Sequence, residues 1–163
     1  MRKLIGVLLM ATVLNACNND IESDVLVANG LPIDGSQQLP PKAVAGTGTV
    51  DVTYNRAIKT LYYTVKWNGL TGAPVSSGSV GFGIYGSAAK GFRAPSQIVM
   101  FDKFTTAASG TYSGSVFIDG VTLKEADLLQ GLYYINIPTT ANPVNPANPA
   151  ANGEIRGQIV GLK

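Results

Sequence analysis

"TGTVDVTYNRAIKTLYYTVKW", residues 47–67, decides the fold class of this chain. Val50, Val52 and Tyr54 alternate with Thr49, Asp51 and Thr53. After a turn at Asn55-Arg56-Ala57, Leu61, Tyr63, Val65 and Trp67 alternate with Tyr62, Thr64 and Lys66. A period of two sends successive side chains to opposite faces of an extended strand. The two segments therefore read as an antiparallel hairpin with one apolar face toward a core and one polar face toward water.

The same period recurs downstream. "SVGFGIYG" (79–86) carries Val80, Phe82 and Ile84 opposite Gly81, Gly83 and Tyr85. "QIVMFDKF" (97–104), "GTYSGSVFIDG" (110–120), "GLYYINI" (131–137) and "GEIRGQIVGL" (153–162) supply further strands. One helix interrupts them. "VTLKEADLLQG" (121–131) has Thr122 and Glu125 at capping-box spacing, Leu123, Leu128 and Leu129 as an apolar face, and Gly131 as a stop. Many short strands, 19 glycines and this length predict a single all-β domain, an antiparallel β-sandwich with one short helix.

The N-terminus carries an address. "MRKLIGVLLMATVLNAC" (1–17) places Arg2 and Lys3 before an apolar run from Leu4 to Leu14, then small or polar residues before Cys17. That is the layout of a secretory signal, and it is too short for a stable bilayer span. "LNAC" (14–17) resembles the bacterial lipoprotein box. The resemblance implies that Cys17, the single cysteine of the chain, is diacylated, that cleavage precedes it, and that the new amine is acylated too. Several acyl chains make a stable anchor where one is marginal. The expected division is a signal peptide at 1–16, a lipid-anchored flexible tether at 17–33 and a domain at 34–163. Asp20, Glu22 and Asp24 resemble the surface-export signals of Bacteroidetes-type lipoproteins. The expected location is the bacterial cell envelope, at the outer membrane, facing the periplasm or the cell surface.

Composition removes whole classes of function. Cutting before Cys17 takes away two of the 12 Lys and Arg and leaves ten against ten acids, with no basic run, so nucleic acid is not an expected partner. No second cysteine is left for a disulfide. The chain has no histidine, which excludes Ser-His-Asp and Cys-His catalysis. Neither a P-loop nor a GxGxxG following a strand is present. Asp102, Asp119 and Asp127 are the acids that could be considered for calcium, but they do not cluster in sequence.

Several stretches together resemble a known family. "DGSQQLPPKAVAGTGTVDVTYN" (34–55), the Trp67-Asn68-Gly69-Leu70 turn, "GIYGSA" (83–88), "LQGLYYINIPT" (129–139) and "NGEIRGQI" (152–159) follow the order and spacing of the CHRD domain, named after chordin. The resemblance runs from about Asp34 to Lys163. It implies a Greek-key sandwich similar in architecture to superoxide dismutase. Family members carry "HIHG"-like and "N-x-H-T"-like strands whose histidines look like a metal or catalytic cluster. Here "GIYG" puts Gly83 and Tyr85 in those places, and "NIPT" puts Pro138 there. The expectation is a lost site, with no transition metal and no cofactor.

Strand parity locates the vacated positions. With Phe82, Ile84, Ile135 and Ile137 inward, Tyr85, Tyr134 and Asn136 share the outer face of a sheet. Exposed tyrosines beside an amide would suit stacking on a sugar ring, making these three the candidate ligand-binding face. The other reading is that they cover a half-buried face beneath the Asn-Pro-rich insert at 139–152. That insert repeats Asn-Pro at Asn142, Asn145 and Asn148, a period that suits polyproline II. It reads either as a flap or docking ledge, or as a plain loop extension. Glu154 and Arg156 share a strand face and read as structural, with Gly157 permitting a bulge or close packing. The expected function is a non-catalytic binding or structural module for glycan or another protein, held to the membrane by its lipid. The alternative is a metal-binding or enzymatic domain using non-histidine ligands.

Overall fold

The computed structural model describes residues 23–75, 81–86, 97–145 and 152–163. In chain order the elements are β1 (Val25–Asp34), β2 (Thr47–Asn55), β3 (Thr60–Asn68), β4 (Gly83–Tyr85), β5 (Gln97–Met100), β6 (Gly110–Phe117), α1 (Glu125–Leu129), β7 (Tyr134–Ile137) and β8 (Ile155–Gln158). All strand pairs are antiparallel, in the order β5-β4-β7-β8-β1-β2-β3-β6. The chain is all-β, as its alternation predicts.

Two four-stranded halves make up this sheet, β6-β3-β2-β1 and β8-β7-β4-β5. They meet edge to edge at β1 and β8, where Asp34 pairs with Arg156. Backbone bonds between Val27 and Lys163 extend the seam. A large cluster of buried side chains from both halves forms the main core, and Tyr85 and Tyr134 form a small second one. Phe82 crosses Trp67 edge-on at 5.3 Å, and Phe101 stacks on Tyr63 at 4.8 Å and on Tyr112 at 4.6 Å. These rings tie the β4–β5 side to β3 and β6 without backbone pairing. Strand β6 makes room for them with glycine: a Cβ at Gly114 would stand 2.7 Å from the Tyr63 hydroxyl.

The hairpin at 47–67 forms in the register its alternation implies, from Thr47 opposite Asn68 to Asn55 opposite Thr60. Its inward residues are buried throughout. Residues 25–33, expected as part of a tether, instead form β1, which lies between β2 and β8. A bulge between Ala28 and Leu31, with Gly30 at φ +65°, breaks the period of two. Leu26, Ala28 and Ile33 all reach the core although no single period joins them.

The helix is also shorter than expected and starts differently. Lys124 occupies its N-cap without a side-chain bond, so the Thr122–Glu125 capping box does not form. Asp119 does that work one turn earlier, accepting the N–H groups of Val121, Thr122 and Leu123. Those bonds hold the Asp119 carboxyl below its usual range. Leu123 and Leu128 are buried, while Leu129 faces water. Gly131 closes the helix at φ +70°, as read.

Candidate functional site

Rows of paired residues cross the outer face of β4, β7 and β8. Gly83 pairs with Asn136 and Asn136 with Arg156; Tyr85 pairs with Tyr134 and Tyr134 with Gln158. Ile84, Ile135, Ile137 and Ile155 turn the other way into the core. Parity therefore brings Tyr85, Tyr134 and Asn136 together as expected, and adds Arg156.

Of the two readings of this face, the exposed one fails and the covered one holds, with burial more complete than the half-buried face expected. Tyr85 and Asn136 are 0 % exposed, Tyr134 1 % and Arg156 4 %. The two tyrosine rings stack at 5.5 Å, and the Arg156 guanidinium lies 3.7 Å above the Tyr134 ring. The Tyr85 hydroxyl donates to the Gly81 carbonyl. Burial pushes the Tyr85 phenol up and the Arg156 guanidinium down. Val144, from the base of the Asn-Pro insert, packs against this tyrosine pair. An antiparallel bridge between Val144 and Asn152 holds that base closed. Residues 146–151 of the insert, Asn148 among them, lie outside the described residues, as does Cys17.

A second cover comes from the loop after β1. The Gln38 side chain donates its Nε2 to Asn136 Oδ1 at 2.9 Å, and Asn136 Nδ2 donates to the Asn152 carbonyl at 3.2 Å. Both ends of the Asn136 amide are thus engaged with protein. Lys42 Nζ donates to the Gly153 carbonyl at 2.6 Å, and burial lowers its pKa, opposed in part by Glu154.

Glu154 fastens the remaining loops. It is 0 % exposed, and its Oε1 accepts the Thr71 N–H at 2.8 Å. Its Oε2 accepts the Thr71 hydroxyl at 2.8 Å and the Thr139 hydroxyl at 2.7 Å, with Asn142 Nδ2 at 3.4 Å. A buried carboxylate is stable only when its lone pairs are met in this way. Gly153, at φ +100°, lets the chain pass: a Cβ there would stand 2.8 Å from Asn136 Oδ1. At Gly157 a Cβ would stand 2.5 Å from Ile33 Cγ1 and 2.8 Å from the Pro32 carbonyl. The glycine serves close packing of β8 on β1. "NGEIRGQ" is a clasp that gathers the 38–42, 71 and 139–142 segments onto one sheet face.

Gly83, Tyr85 and Pro138, where the resemblance puts histidines, are buried. The donors beside them, a phenol and a carboxamide, are bound to protein groups. That set does not suit a transition ion, which favours imidazole or thiolate. Among the described residues no three Asp, Glu or Cys side chains come together. No described helix is long and apolar enough to cross a membrane.

The open face lies on the other half. Across the outer side of β2, β3 and β6, Asp51 pairs with Thr64 and Thr64 with Ser113, while Thr53 pairs with Tyr62. A shallow cavity of about 220 Å³ is lined by Asp51, Thr53, Tyr62, Tyr63, Thr64, Ser113 and Gly114. Tyr62 is 45 % exposed, and the Thr64 and Ser113 hydroxyls are 2.8 Å apart. Asp51 accepts the Gly30 N–H at 2.7 Å and stands 3.5 Å from Lys66.

The family model of the CHRD domain matches residues 31–159. No curated protein and no solved structure matches the chain.

Proposed function

The chain belongs to the CHRD-domain family, and on that footing we propose that it is a lipid-anchored cell-envelope protein whose sandwich is a non-catalytic binding module. The observation that carries this reading is the filled state of the β4–β7–β8 outer face. Around Gly83, Tyr85 and Pro138, where the family resemblance puts histidines, Tyr85, Tyr134, Asn136 and Arg156 pack with at most 4 % exposure, leaving a substrate no room. The ligand surface is instead the open β2–β3–β6 face. There an exposed Tyr62 stands beside Asp51, Thr64 and Ser113, a ring next to hydroxyl and carboxylate groups, which suits a glycan.

The test is titration with soluble tetrasaccharides of glucose and of N-acetylglucosamine, read by NMR shifts. Movement of Tyr62 and Thr64 signals, lost in Tyr62→Ala, supports the reading. Hydrolysis of the sugar, or a stoichiometric metal retained through dialysis, would favour the metal or enzymatic alternative. Incorporation of an alkyne-bearing fatty acid that vanishes in Cys17→Ser tests the anchor separately.

A further inference from the structure

Both β1 and the β2–β3 turn begin at one end of the sandwich. Val25 pairs with Asn55, and the Arg56 N–H donates to the Asp24 carbonyl at 2.7 Å. Strand β6 finishes at the same end, with Phe117 opposite Thr60. The start of α1 is held there by the 3.3 Å contact of Arg56 with Glu125. The C-terminal segment returns there too, where Lys163 bonds Val27.

This end carries several exposed apolar side chains. The other large hydrophobic residues exposed on the described surface are Leu39, Tyr62, Met100, Leu129 and Val160. Here Val25 is 41 %, Ile58 52 %, Phe117 59 % and Val121 78 % exposed. Isolated exposed apolar residues are ordinary, but a group at one end marks an interaction surface. The charges at this end are mixed, with Arg56, Lys59 and Lys124 against Asp24, Asp119 and Glu125. An attraction dominated by charge is not built into this end.

The position of the tether says what covers it. Cys17 lies six positions before Ser23, and such a stretch spans about 20 Å at most when fully extended. We propose that this end of the sandwich docks on the lipid surface that holds the anchor, with Ile58, Phe117 and Val121 entering the headgroup region. The inference rests on the lipid-anchor reading of Cys17. Acyl chains hold the domain within that reach of the bilayer, and the chain emerges beside the apolar group, so that group meets lipid first. Burial of a few apolar side chains at the interface then fixes the orientation and turns the β2–β3–β6 face sideways, clear of the membrane.

The test uses the full lipidated protein reconstituted in phosphatidylcholine vesicles. Phe117→Cys, Val121→Cys and, at the opposite end, Asn68→Cys each receive a spin label, since an acylated Cys17 does not react. Collision with dioxygen, which concentrates in lipid, is compared with collision with a water-soluble nickel chelate. The expected result is a several-fold higher oxygen-to-nickel ratio at 117 and 121 than at 68. Equal ratios at all three positions, with acyl chains on Cys17 verified by mass spectrometry, would overturn the docking and leave the anchor standing. A label at 117 shielded from both reagents would mean that protein covers this end, which also overturns it. An unacylated Cys17 would overturn the anchor and the docking together.

Discussion

On β2 and β3 the outward residues Asp51, Thr53, Tyr62, Thr64 and Lys66 meet water or a shallow cavity. On β4, β7 and β8 the outward residues Tyr85, Tyr134, Asn136 and Arg156 meet other protein segments. Both halves follow the same period of two, and both place their isoleucines, valines and inner rings in one core. The difference lies in what has been laid over them. An antiparallel sheet can leave one face solvated, so parity assigns a residue to a face without saying whether that face is open. The β4–β7–β8 half is a three-layer structure, with the 38–42 and 139–145 segments as its third layer.

Glu154→Ala is the strongest way to break this comparison. It strands the buried Thr139 hydroxyl and takes the carboxylate from the Thr71 N–H and hydroxyl at the rim of the site. The expected loss is on the order of 3–5 kcal/mol, since one buried and two partly buried hydrogen bonds to a fully buried carboxylate are lost at once. Asp51→Ala, on the open face, should cost about 1 kcal/mol or less, because its contact with Lys66 is solvated. Urea unfolding of both variants decides the matter. Similar losses would mean that the two faces do not differ as described.

The tyrosines give a second contrast of smaller size. Tyr134→Ala removes a ring packed between Tyr85 and Arg156, and should cost about 3–4 kcal/mol. Tyr62→Ala should cost no more than about 1 kcal/mol while removing any glycan response. A Tyr62 variant as unstable as the Tyr134 variant would show that the open face is a packed one.

The seam between the halves comes next. Gly157→Ala forces a methyl group against Ile33 and the Pro32 carbonyl, where β8 crosses β1. Overpacking of this kind costs about 1–3 kcal/mol. Gly161→Ala, where nothing lies within 4 Å of the added Cβ, provides the reference, although φ +71° adds some strain. Equal melting points for the two variants would remove close packing as the reason for glycine at 157.

How much of this was legible follows the same division. The hairpin at 47–67 could be read residue by residue because apolar and polar positions alternate without interruption. Strand β1 could not, because Gly30 and the bulge shift its period halfway along. The faces of Tyr85, Tyr134 and Asn136 could be read, and cover by the insert was one of two readings, but their complete burial was not foreseen. Their cover is delivered by Gln38, 98 positions from Asn136, and by Val144 at the base of the insert. Such polar or Pro-rich loop residues have no periodic signature. The clasp left one visible trace, the run "NGEIRGQ", whose Glu and Arg share a face and read as structural before their partners were known.

Asp34 stands where the open half passes to the covered one, and it offers the smallest and most specific test. It ends β1 opposite Arg156 and caps the turn that carries Gln37 and Gln38 toward β7 and β8. Its Oδ1 accepts the Ser36 N–H at 2.8 Å, the Ser36 hydroxyl at 2.5 Å and the Gln37 N–H at 3.2 Å. The Ser36 hydroxyl is the main reason that the folded carboxyl lies below its ordinary value of 3.8. A carboxyl depressed by folding contributes stability that is complete above its unfolded pKa and lost as pH falls through the lower, native one. Asp34→Asn should therefore lower stability by about 1 kcal/mol or less near neutral pH. The gap between it and the parent should close as the pH is taken below 3.8. Urea midpoints of the two proteins measured at pH 7 and pH 3 give the answer. A gap that stays constant would mean that the charge on Asp34 does not help hold the 35–38 turn, and that the cover over Asn136 is set by Gln37 and Gln38 alone.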